Sequence, residues 1–407
     1  MAIRSRSMGD EGRGSRTSND GQAEARADRG PDLELGWTDR VQRALMAWYR
    51  RGHRDLPWRR SPEPYRVLVS ETMLVQTTVA AVIPYFERFL ERFPTVQSLA
   101  EADEADVLRA WEGLGYYRRA RQLQAAAQAI VRNHGGEVPA DLPSLQALPG
   151  VGRYIAGAIR SFAFNRQAPI VEANTQRVLA RWLAWDRDLK APASQSRLWR
   201  AAERLVPAEN AGSFNQAFME LGATVCTPRR PLCLACPVTE DCQARRQGRQ
   251  DELPVRSARV TASEVSEACA LVVKGDELLI GRRGQARLWE GFWEFPTIHV
   301  SGADPAGRST GAGIDLAEGV LLLSGIVARI GPEVHGLRFG VTRYRITLKA
   351  HAAAFESGEP KAGPGLTELA WVSPEGLSDY PLGAASRRLA RWAARNWDTL
   401  RDTAKEL

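Results

Sequence analysis

The sequence predicts a multidomain chain: an all-α, basic domain that carries a cysteine loop, followed by a smaller α+β domain. Three observations lead there. Helical periodicity with short Gly/Pro breaks runs from residue 36 to residue 248. Four of the five cysteines crowd into residues 226–242, at the end of that stretch. Beyond residue 264 the pattern changes to strand-like alternation and hairpin turns.

At 407 residues the chain is long enough for two or three domains. We divide it into a tail (1–35), a helical domain (36–248), a linker (249–264) and a second domain (265–398). The tail is polar, with 6 basic and 7 acidic residues, and cannot bury enough apolar surface to order itself. Helical patterns follow at Thr38–Tyr49, Tyr65–Phe93, Glu104–Leu114, Arg118–Asn133, Tyr154–Phe164, Thr175–Leu183 and Ser196–Leu205. In the second domain, ACALVVKGDELLIGRR reads as a hairpin turning at Lys274-Gly275-Asp276. GVLLLSGIVARI and LRFGVTRYRITLKAHAAAF read as further strands, and Pro374–Trp397 ends in an amphipathic helix.

Charge is uneven. Residues 36–250 carry 30 basic and 21 acidic side chains, whereas residues 251–407 carry 19 and 20. The positive field therefore belongs to the helical domain and suits a polyanion. No run of eighteen apolar residues and no signal peptide is present, so a soluble, cytoplasmic protein with no membrane partner is expected.

Cys226, Cys233, Cys236 and Cys242 are spaced C-x6-C-x2-C-x5-C. This is neither the paired-ligand pattern of a zinc ribbon nor a disulfide framework. It fits a 4Fe–4S cubane held by one loop; a structural zinc or unliganded core cysteines are the alternatives. Cys269 has no cysteine nearby and reads as an inert strand residue. Leu148-Pro149-Gly150-Val151-Gly152 lies between helical stretches. Its glycines allow a sharp turn and close approach to a ligand, and the next helix offers free N–H groups to phosphate. This is the hairpin of a helix-hairpin-helix DNA-binding unit, or else an ordinary helix connection. Glu71 sits in RVLVSETMLVQTTVAAVIPYF, on a helical face with Val67, Leu68, Leu74, Val75, Thr78 and Val82. Burial there would raise its pKa toward that of a general acid, unless it simply pairs with an arginine such as Arg66.

Taken together, LPWRRSPEPYRVLVSETMLVQTTVAAVIPYFERF, WEGLGYYRRARQL, LPGVGRYIAGAI, IVEANTQRVLAR and the cysteine quartet resemble the adenine DNA glycosylases in order and spacing. These are monofunctional members of the endonuclease III superfamily. The likeness covers residues 37–245 closely and 265–395 loosely. It implies a helix-hairpin-helix glycosylase domain with an iron–sulfur loop and a C-terminal Nudix-like domain that recognises the lesion. It implies removal of adenine mispaired with 8-oxoguanine or guanine in double-stranded DNA, by a monomer at the nucleoid, as the first step of base excision repair.

By that resemblance Glu71 is the acid. Tyr154 hydrogen-bonds in the pocket, where bifunctional relatives carry a Schiff-base lysine; a phenol cannot form an imine. The second carboxylate departs from the family's Asp-Gly-Asn and reads Glu172-Ala173-Asn174. We assign Glu172 as the sugar-cation stabiliser and Asn174 as its supporting donor. A misplacement of about 1 Å can cost on the order of a hundredfold in rate.

Tyr116 matches a residue that intercalates beside the lesion, and Gln76 one inserted near it, while Tyr117 suits core packing. Val75 replaces the family's second glutamine. Arg229 and Arg230 read as phosphate contacts, with Leu148, Gly150, Val151 and Gly152 at the hairpin. The segment LWEGFWEFP resembles a Nudix signature without the acidic helix of a working hydrolase, so pyrophosphatase activity is not expected. The lesion-reading segment aligns with Val341-Thr342-Arg343, where Thr342 and Arg343 would contact DNA. The competing functions are a glycosylase acting on T or U opposite G, and a lesion-binding protein whose catalytic pair has drifted.

Overall fold

A computed structural model describes residues 36–255, 261–284, 288–307 and 314–407. The expected tail lies outside the described residues, as does part of the expected linker. Among the described residues the chain divides into two compact units, one of residues 36–54 and 165–255, the other of residues 55–164 and the described residues from 261 to 407. Among the described residues no helix is long and apolar enough to cross a membrane.

The first unit is helical: Trp37–Arg51, Ala173–Trp182, Pro192–Leu205, Ala211–Thr224 and the short Gln243–Arg246. Val41, Leu45, Val178, Leu198, Phe214 and Leu221 share one core, and Trp182 stacks on Phe218 at 5.2 Å. The Ala211–Thr224 helix escapes a periodicity reading because it is apolar on most of its circumference. Gly222 lets it close on the neighbouring helix; a Cβ there would stand 2.7 Å from the Asn174 Cβ.

The second unit begins with helices Pro57–Arg60, Pro64–Leu74, Val79–Arg92, Val96–Glu101, Glu104–Trp111, Arg118–His134, Leu142–Ala147 and Arg153–Phe162. They enclose a core that includes Leu68, Met73, Phe86, Phe89, Trp111 and Ile130. The reading of Tyr65–Phe93 as one helix is corrected. The chain breaks after Leu74, Gln76 takes φ +58°, and Thr78 caps a new helix by accepting the Ala81 N–H. Val75, Thr78 and Val82 therefore do not share the helix of Glu71.

The rest of the unit is a mixed sheet of β1 (Ser263–Lys274), β2 (Glu277–Arg283), β3 (Trp293–Glu294), β4 (Thr297–Gly302), β5 (Ile326–Val341), β6 (Tyr344–Gly358) and β7 (Leu366–Val372). The strand order is β3-β2-β1-β6-β5, with β4 on β1 and β7 on β2. β1 and β6 run parallel from Ser263↔Tyr344 to Val273↔Ala354. β1 and β2 form the expected hairpin across Gly275-Asp276. β1 is buried on both faces: Cys269, Leu271 and Val273 enter one core with helices Ala384–Arg395 and Trp397–Lys405, while Ala270 and Val272 enter another. Cys269 is thus a packed strand residue, as expected. The reading of GVLLLSGIVARI as strand throughout is corrected: Leu316–Ser324 is a helix, started by the Asp315 carboxylate and stopped by Gly325 at φ +70°. Caps outweighed the β-like composition of that segment.

Candidate catalytic residues and nucleic-acid interface

Helix Pro64–Leu74 carries Val67, Leu68, Val69 and Met73 into the core and takes Glu71 with them, to 2% exposure. Desolvating a carboxyl at such a position is costly unless it is paired. Tyr154, in the first turn of Arg153–Phe162, donates its phenol O–H to Glu71 Oε2 at 2.5 Å. The structure thus brings these two predicted residues together. Arg66, the alternative partner considered for Glu71, lies over the Phe86 ring at 5.4 Å.

Three turns beside this pair carry the residues expected to meet DNA. At the hairpin, Leu148 and Val151 are buried in the helical core, so their side chains face inward. Gly150 and Gly152 are exposed, and Gly150 has φ +74°. A Cβ on Gly150 would stand 2.7 Å from the Gln122 Cβ, so the turn needs glycine for contact as well as conformation. Helix Arg153–Phe162 starts immediately after, with the N–H groups of its first turn lacking intrahelical acceptors. The other two turns hold Gln76 and Tyr116, both exposed and both in the left-handed region, at φ +58° and +49°. Arg230 (+52°) and Thr342 (+53°) share that conformation. Non-glycine residues held there cost about 1–3 kcal/mol each and cluster where function requires it.

Sequence reasoning missed Arg119. It is buried, and one guanidinium nitrogen donates to the carbonyls of Thr72 at 3.0 Å, Met73 at 2.8 Å and Val75, closing the helix of Glu71. The other donates to Thr77 Oγ1 and Gly115 O, both at 3.1 Å, so one side chain joins the Gln76 turn to the Tyr116 turn. Burial lowers its pKa to about 10, still a cation at neutral pH. The available signal was its place in Arg118–His134, four residues before Leu123 on the face that turns inward.

In the first unit, Glu172 caps helix Ala173–Trp182. Its carboxylate accepts the N–H of Asn174 at 2.7 Å and of Thr175 at 2.9 Å, and the Glu172 N–H donates in turn to Thr175 Oγ1 at 2.8 Å. Burial pushes the Glu172 pKa up, while the Asn174 and Thr175 donors and the Arg177 charge pull it down; the net direction is upward. The structure brings Asn174 to it, with Nδ2 at 3.3 Å. Arg177 and Arg181, also unforeseen, extend the same helix toward the cysteines. Arg177 reaches Asn174 Oδ1, Gly222 O and Cys226 O, and Arg181 reaches Cys226 Sγ at 3.2 Å. Their i, i+4 spacing, three residues after Asn174, was the signal.

Cys226, Cys233, Cys236 and Cys242 line one cavity with Arg181, Trp182, Arg245 and Gln250. Among the described residues no three His, Cys, Asp or Glu side chains gather around a single-ion position. Four thiols around one cavity, flanked by arginines, fit an anionic cluster whose corners are reached separately. Burial pushes Cys236 up to about 12 and Cys242 up to about 11, so metal coordination there must displace protons. Arg229 and Arg230 are exposed on the same loop.

In the α+β part, Thr342 and Arg343 form the two-residue tip between β5 and β6, closed by Val341↔Tyr344. Arg343 is therefore at a turn and not on a strand. Its guanidinium lies over the Tyr344 ring at 5.2 Å.

Residues 69–204 match the HhH-GPD superfamily of base excision DNA repair proteins, and residues 268–392 match a NUDIX domain. Fold and site together define a helix-hairpin-helix DNA repair protein joined to a Nudix-like domain. The chain is 34% identical to the adenine DNA glycosylase of Rattus norvegicus over 406 residues, covering 86% of this chain and 77% of that one. It is 34% identical to that of Buchnera aphidicola over 253 residues (62% and 72%) and 46% identical to that of Homo sapiens over 236 residues. The human match covers 56% of this chain and 43% of the relative, so the chain spans less than half of that protein. The chain belongs to the adenine DNA glycosylase family.

Proposed function

We propose that this chain is a monofunctional glycosylase that releases adenine mispaired with 8-oxoguanine or guanine in duplex DNA. The observation that carries the reading is the buried Glu71–Tyr154 pair beside a glycine hairpin. Adenine is a poor leaving group until a ring nitrogen is protonated, and the nucleotide must be extruded, at about a few kcal/mol. Glu71, oriented by Tyr154, gives its proton to N7. The glycosidic bond then breaks with its electron pair leaving on the base. The sugar becomes cationic, the anionic Glu172 stabilises it, and water adds at C1′, losing a proton to the Glu71 carboxylate; the division of labour resembles that of glycoside hydrolases. Tyr154 offers no amine for an imine, so strand cleavage is not part of the reaction.

On this reading residues 36–248 are the glycosylase domain and 265–398 read the lesion, with Thr342 and Arg343 at the tip of a hairpin. Gln76 and Tyr116 enter the duplex. Gly150, Gly152, Arg229 and Arg230 hold phosphates, with Leu148 and Val151 as the hairpin's inward anchors. A 4Fe–4S cluster on Cys226, Cys233, Cys236 and Cys242 would order the basic loop. The protein then acts as a monomer at the nucleoid. A second reading, a weakened lesion binder, draws on Glu172, whose two carboxylate oxygens are engaged by its own helix. Single-turnover excision of A, T or U opposite G or 8-oxoguanine, with and without alkali, tests both readings. Release of adenine alone, with strand breaks only after alkali, is the expected result; binding without release would favour the second.

A further inference from the structure

The signature-like segment Leu288–Pro296 is not used by the chemistry above, yet it is firmly placed. Phe292 is 1% exposed and belongs to the helical core, not to the cores of the sheet. Its ring meets that of Tyr117 at 4.2 Å. Just before it, Arg121 donates to the Glu290 carbonyl and bonds Glu104 at 2.9 Å, and Gly291 at φ +74° leaves space for that guanidinium. The second grip comes from Arg387. It holds Glu112 through both carboxylate oxygens, at 2.5 and 2.9 Å, while also bonding Leu377 O and Tyr380 O. Glu112 is the residue before Gly113 and Tyr117 is the residue after Tyr116. Both ends of the turn that presents Tyr116 are thus held by the Nudix-like part. Within the turn, the Tyr117 hydroxyl accepts the Gly113 N–H at 3.4 Å.

We propose that the Nudix-like part is a clamp on residues 113–117, its former signature segment serving as a plug that holds Tyr116 in the exposed, left-handed conformation needed to enter DNA. Phe292 and Arg387 are then positioning residues for lesion binding, which is separate from reading the lesion at the Thr342-Arg343 tip. The proposal rests on Tyr116 being the inserted residue.

A double-mutant cycle on the full chain tests it, with a duplex carrying non-cleavable 2′-fluoro-adenosine opposite 8-oxoguanine. Phe292→Ala should weaken binding about tenfold, the worth of a lost aromatic pair. In a Tyr116→Ala background the same change should add nothing, because the residue being positioned is gone. An equal factor in both backgrounds, or no factor in the native one, overturns the clamp while leaving Tyr116 as the wedge. Undiminished binding by Tyr116→Ala alone overturns the wedge and the clamp with it. Phe292→Leu keeps the apolar volume and covers the case in which the alanine protein fails to fold; it should show the same non-additivity. Leu271→Ala, in the core of the sheet, controls for stability. If it reproduced the effect and its dependence on Tyr116, the clamp would be refuted.

Discussion

Arg177 donates to Asn174 Oδ1 at 2.8 Å while its Nε donates to Cys226 O, also at 2.8 Å. One side chain therefore ties the residue beside the Glu172 carboxylate to the first cysteine of the loop. Arg177→Gln should release both, costing about 2 kcal/mol of stability. Iron and sulfide content per chain should fall together with adenine release; a full complement of iron with native rates would contradict the tie.

Glu71→Gln keeps the shape and the hydrogen-bond acceptor but has no proton to give at the required acidity. Single-turnover adenine release should drop about 10²–10⁴-fold, the usual worth of a general acid. Duplex binding should survive. Tyr154→Phe should give a smaller loss, of about tenfold, from the missing orientation.

Glu172 makes a pH prediction. Its folded pKa lies above the ordinary carboxylate value of 4.5, mainly because of burial. The folded state thus holds the proton more tightly than the unfolded chain. The stability this confers is complete below 4.5 and is lost as pH rises through the folded value. In urea melts, the native chain's advantage over Glu172→Gln should therefore shrink as pH rises through that window. On the proposed mechanism adenine release needs the Glu172 anion and should rise over the same range; a release rate from Glu172→Gln equal to native would remove Glu172 from the mechanism.

Gln76 is held at φ +58° on an exposed turn. Glycine would relieve that conformation, so Gln76→Gly should stabilise the fold by about 1 kcal/mol. It should also weaken binding to the mismatch duplex. Gain of stability without loss of binding would mean that the turn, and not the side chain, is what matters.

Arg230 is exposed on the cysteine loop and is read as a phosphate contact. Arg230→Ala should reduce the slope of log K against log salt by about one unit, equally for matched and mismatched duplexes. An unchanged slope would assign the residue elsewhere.

Local pattern was enough for the helical and α+β halves, the cysteine loop, the β1–β2 hairpin and Glu71 as a buried acid, because each is set by periodicity or by spacing along the chain. What it could not show were encounters between distant segments: Tyr154 reaching Glu71 across 83 positions, Arg119 joining two turns, Arg177 meeting Cys226. Nor could it show that the run after Leu74 stops, because the break depends on a guanidinium from another helix taking the terminal carbonyls. Side-chain periodicity is a property of neighbours in the chain; the pairing of buried polar groups depends on which surfaces packing brings into contact, and that is resolved when the core forms.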